Sequence, residues 1–403
     1  MTKNTLYIFA GRASNALFFF LLALVVSRQL GPAFFGVYSF LTTVVISANC
    51  FSNLGLDIWM VREVTKAPSK GKWYLSIILG LKMVTSLVTM ILVFLVFWIT
   101  DLPQTTLSLL GILLVSVFLN TISQTLWHYG NCFKQFIYHS VLWAVSNIIK
   151  AVLGIALVFL FHDLKILIIG IVLAEAISMI LSLYIIRRKF GEFVLVFQFA
   201  VWKDFLARSA PIAMGMIFGV LYFRLDIVML QLMTEEKVVG FYSAAYKLFE
   251  VSVVLAHSFM VVLFPTLVEE HHSDQILFKN RFKKVIVIFS LTGGSIALVL
   301  WSFSHEIINV IYGDKFSPSA QILDILAVST LFFFISFLLS HVLIASGREK
   351  VNTWNLVGVV ALNITLNLAW IPQYGAIGAA WATVFCEVAL VTMLSLQIQK
   401  SFE

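Results

Sequence analysis

Uninterrupted apolar runs of twenty or more residues recur along the chain, parted by short stretches that hold most of the Lys, Arg, Asp and Glu. Each run is long enough to cross the ~30 Å hydrocarbon core of a bilayer as an α-helix, which takes about 20 residues. The runs are continuous and do not alternate with period two, so the pattern predicts helices and not a transmembrane barrel. About twelve spans follow, near residues 6–26, 36–60, 74–99, 107–128, 137–161, 166–186, 207–232, 238–267, 285–303, 320–344, 353–371 and 376–398. The first run contains Arg12 and lacks a convincing cleavage site, so it reads as a first span and not as a removed leader.

Basic residues orient these spans. One alternate set of loops holds Arg62, Lys66, Lys70 and Lys72, then Lys134, then Arg187, Arg188, Lys189 and Lys203, and then further Lys and Arg at 279–284 and 348–350. The other set holds only Arg28, Lys165, Lys237 and Lys315, a bias of fifteen to four. The first set, and with it both termini, is expected on the cytoplasmic face of the cell (inner) membrane.

The sequence repeats internally. Gly36-Val37-Tyr38-Ser39 opens the second span and Gly240-Phe241-Tyr242-Ser243 the eighth. Gly170-Ile171-Val172-Leu173-Ala174 opens the sixth, and Gly378-Ala379-Ala380-Trp381-Ala382 the twelfth. The offsets, 204 and 208 residues, nearly agree, so spans one to six correspond to spans seven to twelve. An even number of spans per half makes the repeat parallel, about an axis along the membrane normal. The expected organisation is a six-helix lobe at 1–187, a cytoplasmic interfacial linker at 188–204 and a second six-helix lobe at 205–403. The linker, with Phe193, Leu195, Phe197 and Phe199, is too apolar to run free; it reads as lying in the interface, helical, or as an extension of the sixth span.

Composition narrows the class. Of 403 residues 61% are hydrophobic and only 12% charged, against about 25% in soluble domains. Mean hydropathy is +0.99. The net charge of +7 is explained by the loops, so no nucleic-acid partner is expected. Cys50, Cys132 and Cys386 lack metal or redox spacing, and the scattered histidines lack metal spacing. No Walker motif, nucleophile elbow or paired-carboxylate constellation is present, so no ATP site, catalytic residue, metal or cofactor is expected. An integral membrane glycosyltransferase or polymerase would tend to carry a large extracytoplasmic loop, and the loops here are short.

Several motifs together resemble one family. Ser27-Arg28-Gln29-Leu30-Gly31-Pro32 with Phe35 to Phe40, Leu54-Gly55-Leu56 with Val61-Arg62-Glu63-Val64, and Arg224-Leu225-Asp226 with Val239 to Lys247 are similar to polysaccharide (O-antigen type) flippases. So are Tyr312 to Phe316 and Tyr374 to Ala380. That family lies within the multidrug/oligosaccharidyl-lipid/polysaccharide exporter superfamily. The resemblance implies an all-α polytopic protein of two six-helix bundles around a central cavity that opens to each side in turn. It implies translocation of polyprenyl-pyrophosphate-linked oligosaccharide from inner to outer leaflet for surface polysaccharide biosynthesis. Membrane lipids, a polysaccharide polymerase and glycosyltransferases would be its partners. The alternative is a cation-coupled multidrug exporter of the same superfamily.

An anionic pyrophosphate crossing a low-dielectric region calls for cations in a wet cavity. Arg12, Lys150, Arg224 and Lys247 are the candidates, with Lys82 a weaker one. Each has a structural reading too: snorkelling for Arg12, and an ion pair with Glu175 for Lys150. Arg224 and Asp226 are two apart and cannot share a helix face, so Asp226 is expected to pair with Lys247 in the adjacent helix. Lys247 and Glu250, three apart, can interact along one helix. Asp57 and Glu387 stand as lone acids, each either an H+ or Na+ coupling site or a satisfied structural carboxylate.

Overall fold

The computed structural model describes the backbone of residues 3–402 and the side chains of residues 17–399. Helices account for nearly all of it: α1 (Lys3–Asn53), α2 (Leu56–Lys66), α3 (Gly71–Trp98), α4 (Gln104–Cys132), α5 (Phe136–Phe161), α6 (Leu164–Phe190) and α7 (Phe199–Met233). There follow α8 (Glu236–Ser273), α9 (Gln275–Ser302), α10 (Ser304–Tyr312), α11 (Pro318–Ala345), α12 (Glu349–Tyr374) and α13 (Ala376–Phe402). Among the described residues, eleven helical stretches are long and apolar enough to cross a membrane. In lipid, backbone N–H and C=O groups find no water, so each segment satisfies them internally as helix. Large apolar side chains such as Ile99 and Leu291 are 83% and 66% exposed, as a chain solvated by lipid requires.

The first stretch resolves the count. Helix α1 runs 51 residues, more than twice a bilayer crossing. It breaks at Gly31, at φ 80° and ψ −178°. Only glycine adopts that conformation readily, and Pro32 next to it has no N–H to continue the ladder. Divided there, α1 supplies two spans, in line with the twelve expected.

Two departures from the sequence reading are local. The segment after α6 is not helical: residues 191–198 have no regular secondary structure, and Val196 N donates to the Ser76 carbonyl of α3 at 3.3 Å. Apolar residues at 193, 195, 197 and 199 have the period of a strand, and Phe193 is the one of them that is buried. Helix α10 is an additional short element between the ninth and tenth spans. Its Ser304, Ile308 and Tyr312 lie at i, i+4 and i+8 on one buried face.

The chain divides into two compact units, residues 1–31 with 40–220 and residues 32–39 with 221–403. In the first, Leu56, Trp59, Met60 and Val64 of α2 pack with Leu75, Ile78 and Leu79 of α3 and Leu126 of α4. In the second, α11 is the central element, packed against α8, α9 and α13. Phe35, Tyr312 and Phe316 form an aromatic cluster there, with centroids 5.4 to 6.2 Å apart. The repeated motifs meet in this unit: a methyl on Gly36 would overlap the Glu236 carbonyl, and one on Gly240 the Pro32 carbonyl. Gly240→Val is expected to lower the thermal stability of the purified protein by roughly 1–3 kcal/mol, as overpacking does. Gly358→Ala, at a helical glycine with open space around it, should leave it unchanged or raise it slightly in the same melting assay.

Candidate functional site

The α7–α8 hairpin builds two sites back to back. Tyr246 Oη donates to the Phe223 carbonyl at 2.8 Å and sets the register of the two helices. Arg224 Nη2 then lies 2.7 Å from Glu250 Oε1, and Lys247 Nζ 2.6 Å from Glu250 Oε2. The three groups carry a net charge of +1, and their side chains are 17%, 21% and 9% exposed. The expected contact along α8 between Lys247 and Glu250 is present, and Arg224 joins it from α7.

Asp226 faces elsewhere, about 200° round α7 from Arg224. Its Oδ1 accepts from Asn363 Nδ2 at 2.9 Å and Asn367 Nδ2 at 2.7 Å. Its Oδ2 accepts from Tyr242 Oη at 2.7 Å and Thr383 Oγ1 at 2.8 Å. Asp226 is 4% exposed, and among the described residues no cation pairs with it. The expected Asp226–Lys247 ion pair is therefore replaced by neutral donors. The reason is angular: Tyr242 and Tyr246, four apart, occupy the face of α8 that meets α7. Lys247 lies about 100° further round. Asn367 is fully buried, yet its Oδ1 has no hydrogen-bond partner. Glu387, 1% exposed, accepts from Tyr222 Oη and, at 2.8 Å, from Ser336 Oγ, again without a cationic partner among the described residues.

Among the described residues, the charges held inside the helices of the first unit pair one to one. Lys150 Nζ lies 3.0 Å from Glu175 Oε1, the pair expected from their matching depth, and Asn120 Nδ2 donates to both Glu175 oxygens at 3.2 and 3.3 Å. Asp57 is not a lone acid. Lys82 Nζ sits 2.7 Å from its Oδ2 and donates to Thr125 Oγ1 at 2.8 Å, while Asn53 Nδ2 donates to Asp57 at 2.7 Å. Lys82 is fully buried in this network, so its reading as a cavity cation is replaced by that of an ion-pair partner. Asp57 and Lys82 stand about eleven residues on either side of the turn at Pro68–Lys70, which puts them level on neighbouring helices. His128 Nδ1 approaches the same Asp57 oxygen at 3.8 Å. Arg12 lies outside the residues whose side chains are described. Cys50, Cys132 and Cys386 are free and buried.

The amides Asn363 and Asn367 were missed because only charged residues were weighed. Their signal is an Asn-x-x-x-Asn pair, one helical turn apart, inside an otherwise apolar span.

Long apolar helices in two compact units, with charges held inside them, define a polytopic membrane protein. Residues 1–271 match the family described as "Polysaccharide biosynthesis protein", and the chain belongs to that family. It is 24% identical over 400 residues to "Capsular polysaccharide biosynthesis protein CapF" of Staphylococcus aureus, covering 97% of this chain and 98% of that one. It is 23% identical over 191 residues to "Probable low-salt glycan biosynthesis flippase Agl15" of Haloferax volcanii, covering 46% of this chain and 39% of that one. Among solved structures, "Lipid II flippase MurJ, inward closed conformation" superposes with a TM-score of 0.80 at 16% identity, over 98% of this chain and 87% of that one. An inward-facing multidrug resistance MATE family transporter of the MOP superfamily superposes at 0.70 and 14% identity, over 99% and 96%. These likenesses show the fold.

The Asp57–Lys82 pair yields a test. Removing one partner leaves a buried charge uncompensated, so Lys82→Met or Asp57→Leu alone should lower stability by about 3–5 kcal/mol. The double variant should regain most of that loss, measured by thermal or denaturant unfolding in detergent.

Proposed function

We propose that the protein is a flippase that moves polyprenyl-pyrophosphate-linked oligosaccharide units from the inner to the outer leaflet of the cell membrane. The observation that carries this reading is the Arg224–Glu250–Lys247 cluster, two cations to one carboxylate, deep in long apolar helices. A structural ion pair needs only one cation. Two cations gathered on one carboxylate are the donors that would offset a pyrophosphate's desolvation, with Arg224 suited to bidentate phosphate contact. Family membership and the two polysaccharide-biosynthesis relatives support the cargo class. The two units would present the cargo to each face in turn, with both termini cytoplasmic. Glycosyltransferases would supply the cargo, and a polymerase would consume it.

Direction would come from an H+ or Na+ gradient. Asp226 supports this part, because Asn363, Asn367, Thr383 and Tyr242 surround its carboxylate with groups that carry oxygen. With the amides turned over, the set presents oxygens throughout, the ligand type that hard cations take. Glu387, held among the described residues by the hydroxyls of Tyr222 and Ser336, is the second candidate for a proton. A cation-coupled drug exporter accounts for the two acids and not for two cations gathered on one carboxylate.

The test is export of surface polymer in a cell lacking its own flippase. Arg224→Ala should reduce export roughly tenfold, the worth of a charge-assisted hydrogen bond, with protein level unchanged. Arg224→Lys should restore part of it. Full complementation by both Arg224→Ala and Lys247→Ala would overturn the cationic mechanism. Asp226→Asn should abolish the dependence of export on the ion gradient.

A further inference from the structure

A cavity of about 390 Å³ opens at the α4–α5 end of the first unit, and its wall residue His128 borders the Asp57–Lys82 pair. Its size falls in the range of about 300–1,000 Å³ typical of small-molecule sites. From α4 it takes Gln124, Trp127, His128 and Asn131, spaced i, i+3, i+4 and i+7 on one helix face. From α5 it takes His139, Ser140 and Trp143, again on one face.

The walls are ordered aromatic planes. Trp127 Nε1 donates to Ser182 Oγ at 2.8 Å, which fixes the indole. The rings of His128 and His139 lie 4.6 Å apart at 76°, and those of His139 and Trp143 5.9 Å apart at 81°. The polar groups come in complementary kinds. His128 Nδ1 contacts the Gln124 carbonyl at 2.9 Å, so that nitrogen bears the proton and Nε2 is an acceptor in the neutral ring. Asn131 Nδ2 donates to His139 Nδ1 at 2.9 Å, so there Nε2 bears the proton. Asn131 Oδ1 is buried without a hydrogen-bond partner, an acceptor left over at the wall.

None of the residues lining the cavity is Lys, Arg, Asp or Glu. That lining does not suit a phosphate or a cation. Aromatic faces beside mixed donors and acceptors suit a ring with an apolar face and a rim of hydroxyls, each of which both donates and accepts. We infer that this cavity is a binding site for a neutral pyranose. The turn between α4 and α5 carries Lys134 and belongs to the basic set of loops. Under the proposed function that is the loading face, so the ring would be a sugar of the lipid-linked cargo. A free sugar has the same chemistry.

The test uses the purified full chain in nanodiscs. Binding is measured for a polyprenyl-pyrophosphate-linked oligosaccharide and for bare polyprenyl pyrophosphate, and saturation-transfer NMR is run with a panel of methyl pyranosides. Trp143→Ala should weaken the glycosylated carrier roughly three- to tenfold, the worth of one aromatic stacking contact, and leave the bare carrier unaffected. Trp143→Phe should retain most of the binding. Asn131→Leu should repeat the loss if Trp143→Ala does not fold. Equal weakening of the glycosylated and bare carriers would overturn the inference. So would glycosylated-carrier and pyranoside binding that is the same in wild type and variants. If pyranosides bind in a Trp143-dependent way while neither carrier binds, the sugar site stands and the lipid-linked cargo reading falls.

Discussion

A charge inside an apolar helix must be answered by a partner in the same dry interior, and that constraint organises this molecule. The two units answer it differently. In the first, Lys82 meets Asp57 and Lys150 meets Glu175, each a balanced pair completed by neighbouring amides or hydroxyls. In the second, among the described residues, Glu250 holds two cations, while Asp226 and Glu387 are held by neutral donors. Balanced pairs hold helices in register. Unbalanced groups retain an attraction for something of opposite sign, which is why the second unit bears the weight of the functional reading.

Much of this was legible in the chain. The spans followed from run length, because lipid leaves the backbone no alternative to helix. The Lys150–Glu175 pair followed from matching depth in consecutive helices. Depth alone misassigned Asp226, because Lys247 shares its level but not its direction, and angular position depends on how α7 and α8 rotate to seat Tyr242 and Tyr246. The Asp57–Lys82 pair is hidden in the sequence because the turn at Pro68–Lys70 sets the two level. The non-helical run at 191–198 is open to reading, since its apolar residues alternate with period two and not with the period of a helix.

Neutral polar groups were the least visible. Asn363 and Asn367 attract no notice in a scan for charge, yet they complete the shell of Asp226. His128 and His139, eleven residues apart, looked scattered until the α4–α5 turn folded them to within 4.6 Å. Amides, hydroxyls and imidazoles acquire meaning only from what faces them. Sites made of them emerge with the tertiary structure.

The contact between Gly36 and Gly240 has a consequence for how this chain can vary. The two copies of the duplicated motif press against each other with no room for a side chain on either. Each copy of the motif therefore serves as the mould for the other. A duplicated gene ordinarily lets one copy drift while its twin keeps the original role, but two copies that interlock can change only in concert, and here the seam between them is closed to even a single added carbon.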